Sequence, residues 1–328
     1  MTALVTGASG FVGSAVARAL LRRGETVRAF VRPSSDRRNL EDLKIEVEVG
    51  DLRDRASVDR AAKGCDTVFH VAADYRLWVP KPSDMFEANV DGTRNVMEAA
   101  ANAGARRIVY TSSVATLGLP LHSEPANEET PVKEGDIIGP YKQSKFAAEA
   151  LVKRMMREQG LPVVIVHPST PIGPRDVKPT PTGKIVVEAA KGRMPAFVDT
   201  GLNIVHVDDV AEGHLLALDR GEIGGQYILG AENLSLAQIL AAVCEIVHRP
   251  APRWKLPHDM VMPIAYLAEL WGKLTGREPF VTRDGVRLAR KMMYFSSDHA
   301  KQALGYRPRP ARAAIADAVS WFSQHGYL

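Results

Sequence analysis

The sequence predicts an α/β fold, a doubly wound parallel sheet carrying a smaller, mainly helical carboxyl-terminal lobe. Three observations lead there. The chain opens on a strand, a glycine turn and a helix: Ala3–Val5, then Gly7, Gly10 and Gly13, then an apolar pattern through Val16, Ala17, Leu20 and Leu21 that Gly24 stops. Strand and helix patterns then alternate to Val166, with Gly, Pro and Asp at the turns, as parallel strands joined by covering helices require. After Val166 the rhythm breaks into HPSTPIGPRDVKPTPTG, and the remainder is largely helical.

Taken in order, the predicted strands are Ala3–Val5, Thr26–Val31, Ile45–Val49, Thr67–Val71, Arg107–Tyr110 and Val163–Val166. Between them fall the glycine-led helix, a short helix ending at Ala62, a helix over Ala88–Ala103 and a long one over Tyr141–Glu158. The proline-rich passage reads as a loop rim. Ile185–Ala190 resumes as helix, and Ile204–Val207 and Gln226–Leu229 read as short strands returning to the main sheet. Leu234–Val247, Met260–Leu274 and Ala311–His325 read as helices. The predicted division is a dinucleotide-binding unit over 1–170, with strands returning around 203–230, and a substrate lobe from 171–202 and 231–328.

At 328 residues, 45% hydrophobic and 24% charged, the chain has the composition of a folded globular protein with a full core. A net charge of +4 suits an anionic cofactor but is too small to indicate nucleic acid. Cys65 and Cys244 stand apart and belong to no metal-spaced set, which predicts buried thiols in a reducing compartment. A strand at the start and no run of 18 apolar residues predict a cytoplasmic protein with no leader and no membrane span.

The glycines set the cofactor end. Gly7 allows a tight turn, Gly10 lets a diphosphate approach the backbone, and Gly13 lets helix and strand pack closely. The second strand ends Phe30-Val31-Arg32-Pro33, with no carboxylate before Asp36. An acid at that strand end would accept from the adenosine ribose and repel a 2′-phosphate, whereas Arg32 pairs with one. NADP(H) is therefore preferred, with NAD(H) the alternative. Asp51 and Leu52 after the third strand are placed to meet the adenine, and Ala72 and Ala73 after the fourth leave room for the pyrophosphate. Asn89 and Asn95 read as helix-positioning residues.

At the chemical end, TSSVATLG leaves the fifth strand and YKQSK opens the long helix, with Tyr141 and Lys145 four apart on one face. Proton exchange at an alcohol oxygen needs a poised acid/base; a phenol titrates near pH 10, and a neighbouring ammonium lowers that. Tyr141 is the predicted acid/base, Lys145 its modulator and Ser113 the orienting donor. Adjacent residues point apart, so Ser112 stays open as the alternative. Asp74, Tyr75, Ser112, Ser113 and His167 are candidate substrate contacts.

TGASGFVG, HVAA, NVDGTRNVMEA, TSS, YKQSK, HVDDVA and SSDHAKQALGYRP stand in the order of the landmarks of the extended short-chain dehydrogenase/reductase superfamily, which the chain resembles over essentially its whole length. The resemblance implies a Rossmann-type fold and a cofactor set of Gly7, Gly10, Phe11, Val12, Gly13, Arg32, Asp51, Leu52, Ala72, Ala73, Tyr141, Lys145 and Pro168. It implies Ser113, Tyr141 and Lys145 as catalytic residues. Within the superfamily the chain is most similar to hopanoid-associated sugar epimerases, followed by dihydroflavonol reductase-like and sterol dehydrogenase-like members. The implied activity is NAD(P)-dependent epimerase/dehydrogenase chemistry at a secondary alcohol or ketone, on a sugar or lipid-linked sugar of hopanoid metabolism. An NADPH-dependent ketone reductase is the alternative, and a non-catalytic NADP(H)-binding regulator the reading from another class.

Two departures narrow the reaction. Val114-Ala115 replaces the acidic pair that dehydratases of this superfamily carry after the catalytic Thr or Ser, which argues against dehydration. His167-Pro168-Ser169-Thr170 replaces the Arg-Pro-x-Asn-like rim common in nucleotide-sugar epimerases, which argues against a UDP- or GDP-sugar. The nine histidines form no closely spaced ligand set. His206 with Asp208 and Asp209 reads as a strand end with a helix cap, so no metal is expected. The stretch Asp259–Gly276 is too short in its apolar part to span a bilayer. It reads as a core helix or homodimer surface, or as a helix resting at the inner face of a membrane.

Overall fold

Alternating burial organises the molecule: on the first strand Ala3 and Val5 enter one core and Leu4 the other, so the strand is covered on both faces. The structure is a computed structural model describing all residues except 77, 80, 120–123, 134, 276–278 and 280 and the side chain of 273. In chain order the first half comprises β1 (Thr2–Thr6), α1 (Phe11–Arg22), β2 (Thr26–Val31), β3 (Glu46–Val49), α2 (Arg55–Ala62), β4 (Thr67–His70), α3 (Pro82–Phe86), α4 (Gly92–Asn102), β5 (Arg107–Thr111), α5 (Gly139–Gln159) and β6 (Val163–Pro168). A π-helical turn, Glu87–Asp91, joins α3 to α4. The second half comprises β7 (Thr170–Ile172), α6 (Pro181–Ala190), β8 (Ala196–Val198), β9 (Gly201–His206), α7 (Val207–Arg220), β10 (Gln226–Leu229), β11 (Glu232–Ser235), α8 (Leu236–Ile246), β12 (Trp254–Leu256), α9 (His258–Thr275), α10 (Arg283–Ala289), β13 (Met292–Met293), α11 (Asp298–Leu304) and α12 (Ala311–Gln324).

The main sheet has seven strands in the order β10-β6-β5-β4-β1-β2-β3, all parallel. Strand order reverses between β1 and β4, which opens a crevice at their carboxyl ends. Val16 and Leu20 of α1 and Val210 and Leu215 of α7 fill one face. Val58 of α2, Val96 and Met97 of α4 and Val152 of α5 fill the other. The doubly wound prediction therefore holds, and β10 joins this sheet as expected.

Two expectations fail at the same place. The strand predicted at Ile204–Val207 is β9, and it does not return to the main sheet. It centres a second sheet, paired with β7, β11 and β13. The proline-rich rim is likewise not all loop, because Thr170–Ile172 pairs in parallel with Ile204–His206. A three-residue edge strand accommodates Pro171, which has no amide to donate. Pairing of these two short strands pulls both into the carboxyl-terminal part, where α6, α8 and α12 build a third core around Val186, Ile239, Leu240, Ile315 and Phe322. α3, β8, β11, β12, β13, α10 and α11 went unpredicted, being short and lacking a readable period.

The predicted helix over Met260–Leu274 is α9, but it is not a core helix. Ala265 and Ala268 face inward, while Met260, Ile264, Tyr266, Leu267, Leu270, Trp271 and Leu274 are exposed. Gly276 and the side chain of Lys273, also part of that stretch, lie outside the described residues. Among the described residues no helix is long and apolar enough to cross a membrane.

Candidate active site

The glycine turn builds its half of the crevice from backbone. Gly7 has φ +68, and a Cβ there would lie 2.7 Å from the Ala72 Cα. A Cβ on Gly13 would lie 2.1 Å from the Gly7 carbonyl oxygen. Any side chain at either position would force strand, turn and helix apart. Gly10 caps α1 without a side-chain hydrogen bond, and no acid stands in the first turn, Phe11-Val12-Gly13-Ser14. The positive end of the helix is thus left bare at the strand-order reversal, as binding of a diphosphate requires. The residues present fit a dinucleotide.

Around this turn the predicted contacts divide. Ala72 is held by a hydrogen bond from its amide to the Thr6 hydroxyl at 3.2 Å, and Ala73 follows. Arg32 is exposed at the end of β2, and its charge helps hold both Asp51 and Asp74 below the usual carboxylate range. Asp51 is chiefly Arg53's partner, accepting from Nε at 3.0 Å and Nη2 at 2.7 Å. Leu52 is fixed through its carbonyl, which accepts from Asn95 at 2.8 Å. Asn89, in the π-turn, donates to the Asp74 carbonyl and the Ser144 hydroxyl and accepts from the Asp74 amide. Both asparagines thus hold neighbouring backbone carbonyls.

Chemistry gathers where β5 ends and α5 begins. Ser113 is half-buried, and its hydroxyl accepts from the Ala115 amide at 3.1 Å in the neighbourhood of the Tyr141 phenol. Burial pushes that phenol above its ordinary range, and the nearby Ser113 opposes the shift. Lys145 is fully enclosed, and burial holds its ammonium down to about 8. It donates to the Thr111 carbonyl at 2.8 Å and the Tyr110 hydroxyl at 3.4 Å. These hydrogen bonds tie Lys145 to the end of β5.

Ser112 and His167 are not on the cleft wall, contrary to their reading as substrate contacts. Ser112 is 4% exposed and donates to Glu149 Oε2 at 2.5 Å. His167 is 0% exposed, with Nδ1 3.2 Å from the Ser113 carbonyl oxygen. Thr116 donates to the same Glu149 oxygen at 2.7 Å, and Lys153 pairs with its other oxygen at 2.6 Å. Burial alone would raise the Glu149 carboxyl, but His167, Lys153 and Ser112 together hold it low. Because this network fixes Ser112 inward, alternation turns Ser113 outward. Glu149 was missed from sequence. Its one signal was an acid inside FAAEALV, four residues after Lys145.

On the opposite wall Asp74 is tied to Arg76, and Tyr75 is 42% exposed. Partial burial raises the Tyr75 phenol, and the Asp176 carboxylate raises it further. Asp176, also missed, is 2% exposed, lies beyond β7, and burial pushes it up to about 6. Pro168 ends β6 opposite Leu229. The histidines are structural where they are buried. His70 lies between the Thr6 and Thr93 hydroxyls, and burial holds it down to about 3. His206 caps α7 by accepting from the Asp208 amide. Among the described residues no group of three or more metal-ligating side chains converges.

A dinucleotide crevice beside a serine–tyrosine pair, with a lysine beneath, defines an NAD(P)-dependent enzyme of the extended short-chain dehydrogenase/reductase type. The family model described as the NAD dependent epimerase/dehydratase family matches residues 3–230, and the chain belongs to that family. It is 45% identical to a putative dihydroflavonol 4-reductase of Synechocystis sp., covering 99% of this chain and 95% of that one. It is 36% identical to sterol demethylase protein B of Methylococcus capsulatus over the full length of both. Among solved structures, that of gox2253 superposes with a TM-score of 0.90 at 55% identity, covering 100% of this chain and 99% of that one.

Proposed function

We propose that the chain interconverts a secondary alcohol and its ketone on an apolar ring system, using NADP(H). The observation that carries this is the Ser113–Tyr141 hydroxyl pair at the open end of β5. Tyr141 exchanges the proton of the reacting oxygen, Ser113 orients that oxygen, and Lys145 braces the strand end beneath them. The bound nicotinamide supplies or takes the hydride. Arg32 supports the NADP(H) preference: no carboxylate ends β2, and the guanidinium makes no hydrogen bond among the described residues. The relatives named for a dihydroflavonol and for a sterol support a ring ketone as substrate. The family description supports a second reading, epimerisation of a lipid-linked sugar of hopanoid metabolism.

The test is the purified chain with NADPH and two substrate classes, ring ketones (steroid 3-ketones and dihydroflavonols) and a lipid-linked sugar. Reductase action consumes the absorbance at about 340 nm. Epimerisation changes the sugar's stereochemistry with no net absorbance change. Neither result on either substrate class would overturn the proposal.

An apolar substrate also gives a reason for α9. Its seven exposed apolar residues span roughly 160° of the helix at about 100° per residue, including Tyr266 and Trp271. That is wide for a helix–helix seam and suits a helix lying at the inner face of a membrane. The expected result is flotation of the wild-type chain with phospholipid vesicles, reduced in folded Leu267→Glu and Trp271→Glu. Equal behaviour of all three proteins would remove the membrane from this reading.

A further inference from the structure

Lys142 immediately follows Tyr141 and has no role in the chemistry described so far. It is 7% exposed, yet its amine makes no hydrogen bond and no ion pair among the described residues. Nor is it one of the sealed, partnerless side-chain atoms of the protein, so the little surface Lys142 shows includes its charged tip. A cation held this deep is costly to leave alone.

The charged groups facing it are Lys291 and Asp136. Asp136 is 5% exposed and already committed, accepting from Lys291 Nζ at 2.8 Å and from the Lys133 amide at 2.9 Å. Lys291 also donates to the Gly135 carbonyl at 2.8 Å. Two cations therefore share one carboxylate, and it is bonded to the other one. Asp284, the acid over the start of α5, lies 3.3 Å from the position of a Gly139 Cβ and pairs with Arg287. Burial lowers the Lys142 ammonium to about 8, with Lys291 acting the same way and Asp136 opposing. The amine remains mostly charged at pH 7.

This surplus charge sits where the loop before α5 meets the segment leading into β13, beyond the carboxyl ends of the strands. Ligands of open parallel sheets bind there. The cofactor's phosphates have other partners on this reading, the bare end of α1 and Arg32. We propose that Lys142 binds an anionic substituent, a carboxylate or a phosphate, on the molecule whose alcohol or ketone meets Ser113 and Tyr141. The proposal rests on the functional reading above only for what else that molecule carries. A neutral analogue leaves the amine unpaired, so the residue selects for charged substrates.

Calorimetry on the full chain tests this with three probes: cyclohexanecarboxylate, inorganic phosphate and cyclohexanemethanol. Wild type is expected to bind at least one anion and to prefer it to the alcohol, and the two anion arms tell carboxylate from phosphate. Lys142→Met should weaken that anion at least tenfold, on the scale of a lost charge-assisted hydrogen bond, and Lys142→Arg should retain it. Should the methionine variant not fold, protection of wild-type Lys142 from reductive methylation by the same anion, read by mass spectrometry, replaces it. No anion binding by wild type, unchanged affinity in Lys142→Met, or no protection would overturn the proposal. Failure of the ketone reading would appear elsewhere, as NADPH left unconsumed while anion affinity stands.

Discussion

The two ends of the crevice are made of different material. At the cofactor end the surface is backbone: a turn at Gly7, a close approach at Gly13 and the uncapped amides of α1. At the chemical end it is side chain: Ser113, Tyr141 and Lys145, held by a buried layer of Ser112, Thr116, Glu149 and His167. Backbone surfaces are specified locally, by glycines at a fixed spacing. Side-chain surfaces depend on partners brought from α5 and β6, more than thirty residues away. The two ends should therefore fail differently when altered.

The largest effect is expected at Tyr141. Replacing it with Phe removes the hydroxyl proposed to exchange a proton but leaves the ring in place. Turnover should fall by roughly 10²–10⁴, the scale of a positioned acid/base, with NADPH affinity and thermal stability close to wild type. Near-normal turnover of Y141F would mean that the phenol is not the acid/base. Lost cofactor affinity would mean that the two ends are not separable.

The supporting layer comes next. Glu149→Ala leaves the Ser112 and Thr116 hydroxyls and the Lys153 ammonium without their common acceptor. The expected cost is about 2–4 kcal/mol of stability, read by denaturant unfolding. If Glu149 also positions Ser113, kcat should fall in Glu149→Ala with KM for NADPH unchanged, and Glu149→Gln should recover part of both losses. A stability loss with unaltered kcat would confine Glu149 to packing.

The same contrast governs what was legible beforehand. The order of strands, the glycine turn and the Tyr141–Lys145 spacing are local patterns, and each was read directly. Ser112 and Ser113 could not be separated from sequence, because the choice depends on Glu149 reaching across from α5. His167 looked like a rim residue because prolines follow it, but β6 extends through Pro168 and buries it. β9 was assigned to the wrong sheet because strand periodicity does not say which edge a strand pairs with; that was decided by Thr170–Ile172. The exposed face of α9 was equally hidden, since an apolar helix reads alike whether it faces a core or the outside.

The smallest effect is expected at Arg32, on the side-chain fringe of the backbone-built end. On the proposed reading the turn and α1 hold the diphosphate common to both cofactors, so a change at residue 32 should alter which cofactor is preferred and leave general dinucleotide binding intact. Arg32 stands near Asp51 and Asp74, whose carboxylates its charge helps hold low. Arg32→Asp would put a third acid beside them, removing the pairing with a 2′-phosphate and adding repulsion. NADPH binding should weaken by roughly 10- to 100-fold, the range of one charge-assisted hydrogen bond, while NADH changes little or gains from a new acceptor for the ribose hydroxyls. Calorimetry with both cofactors on both proteins reads this directly. Equal wild-type affinities for NADPH and NADH would remove Arg32 as the discriminator, and a parallel loss of both in Arg32→Asp would show that the backbone-built end depends on this side chain after all.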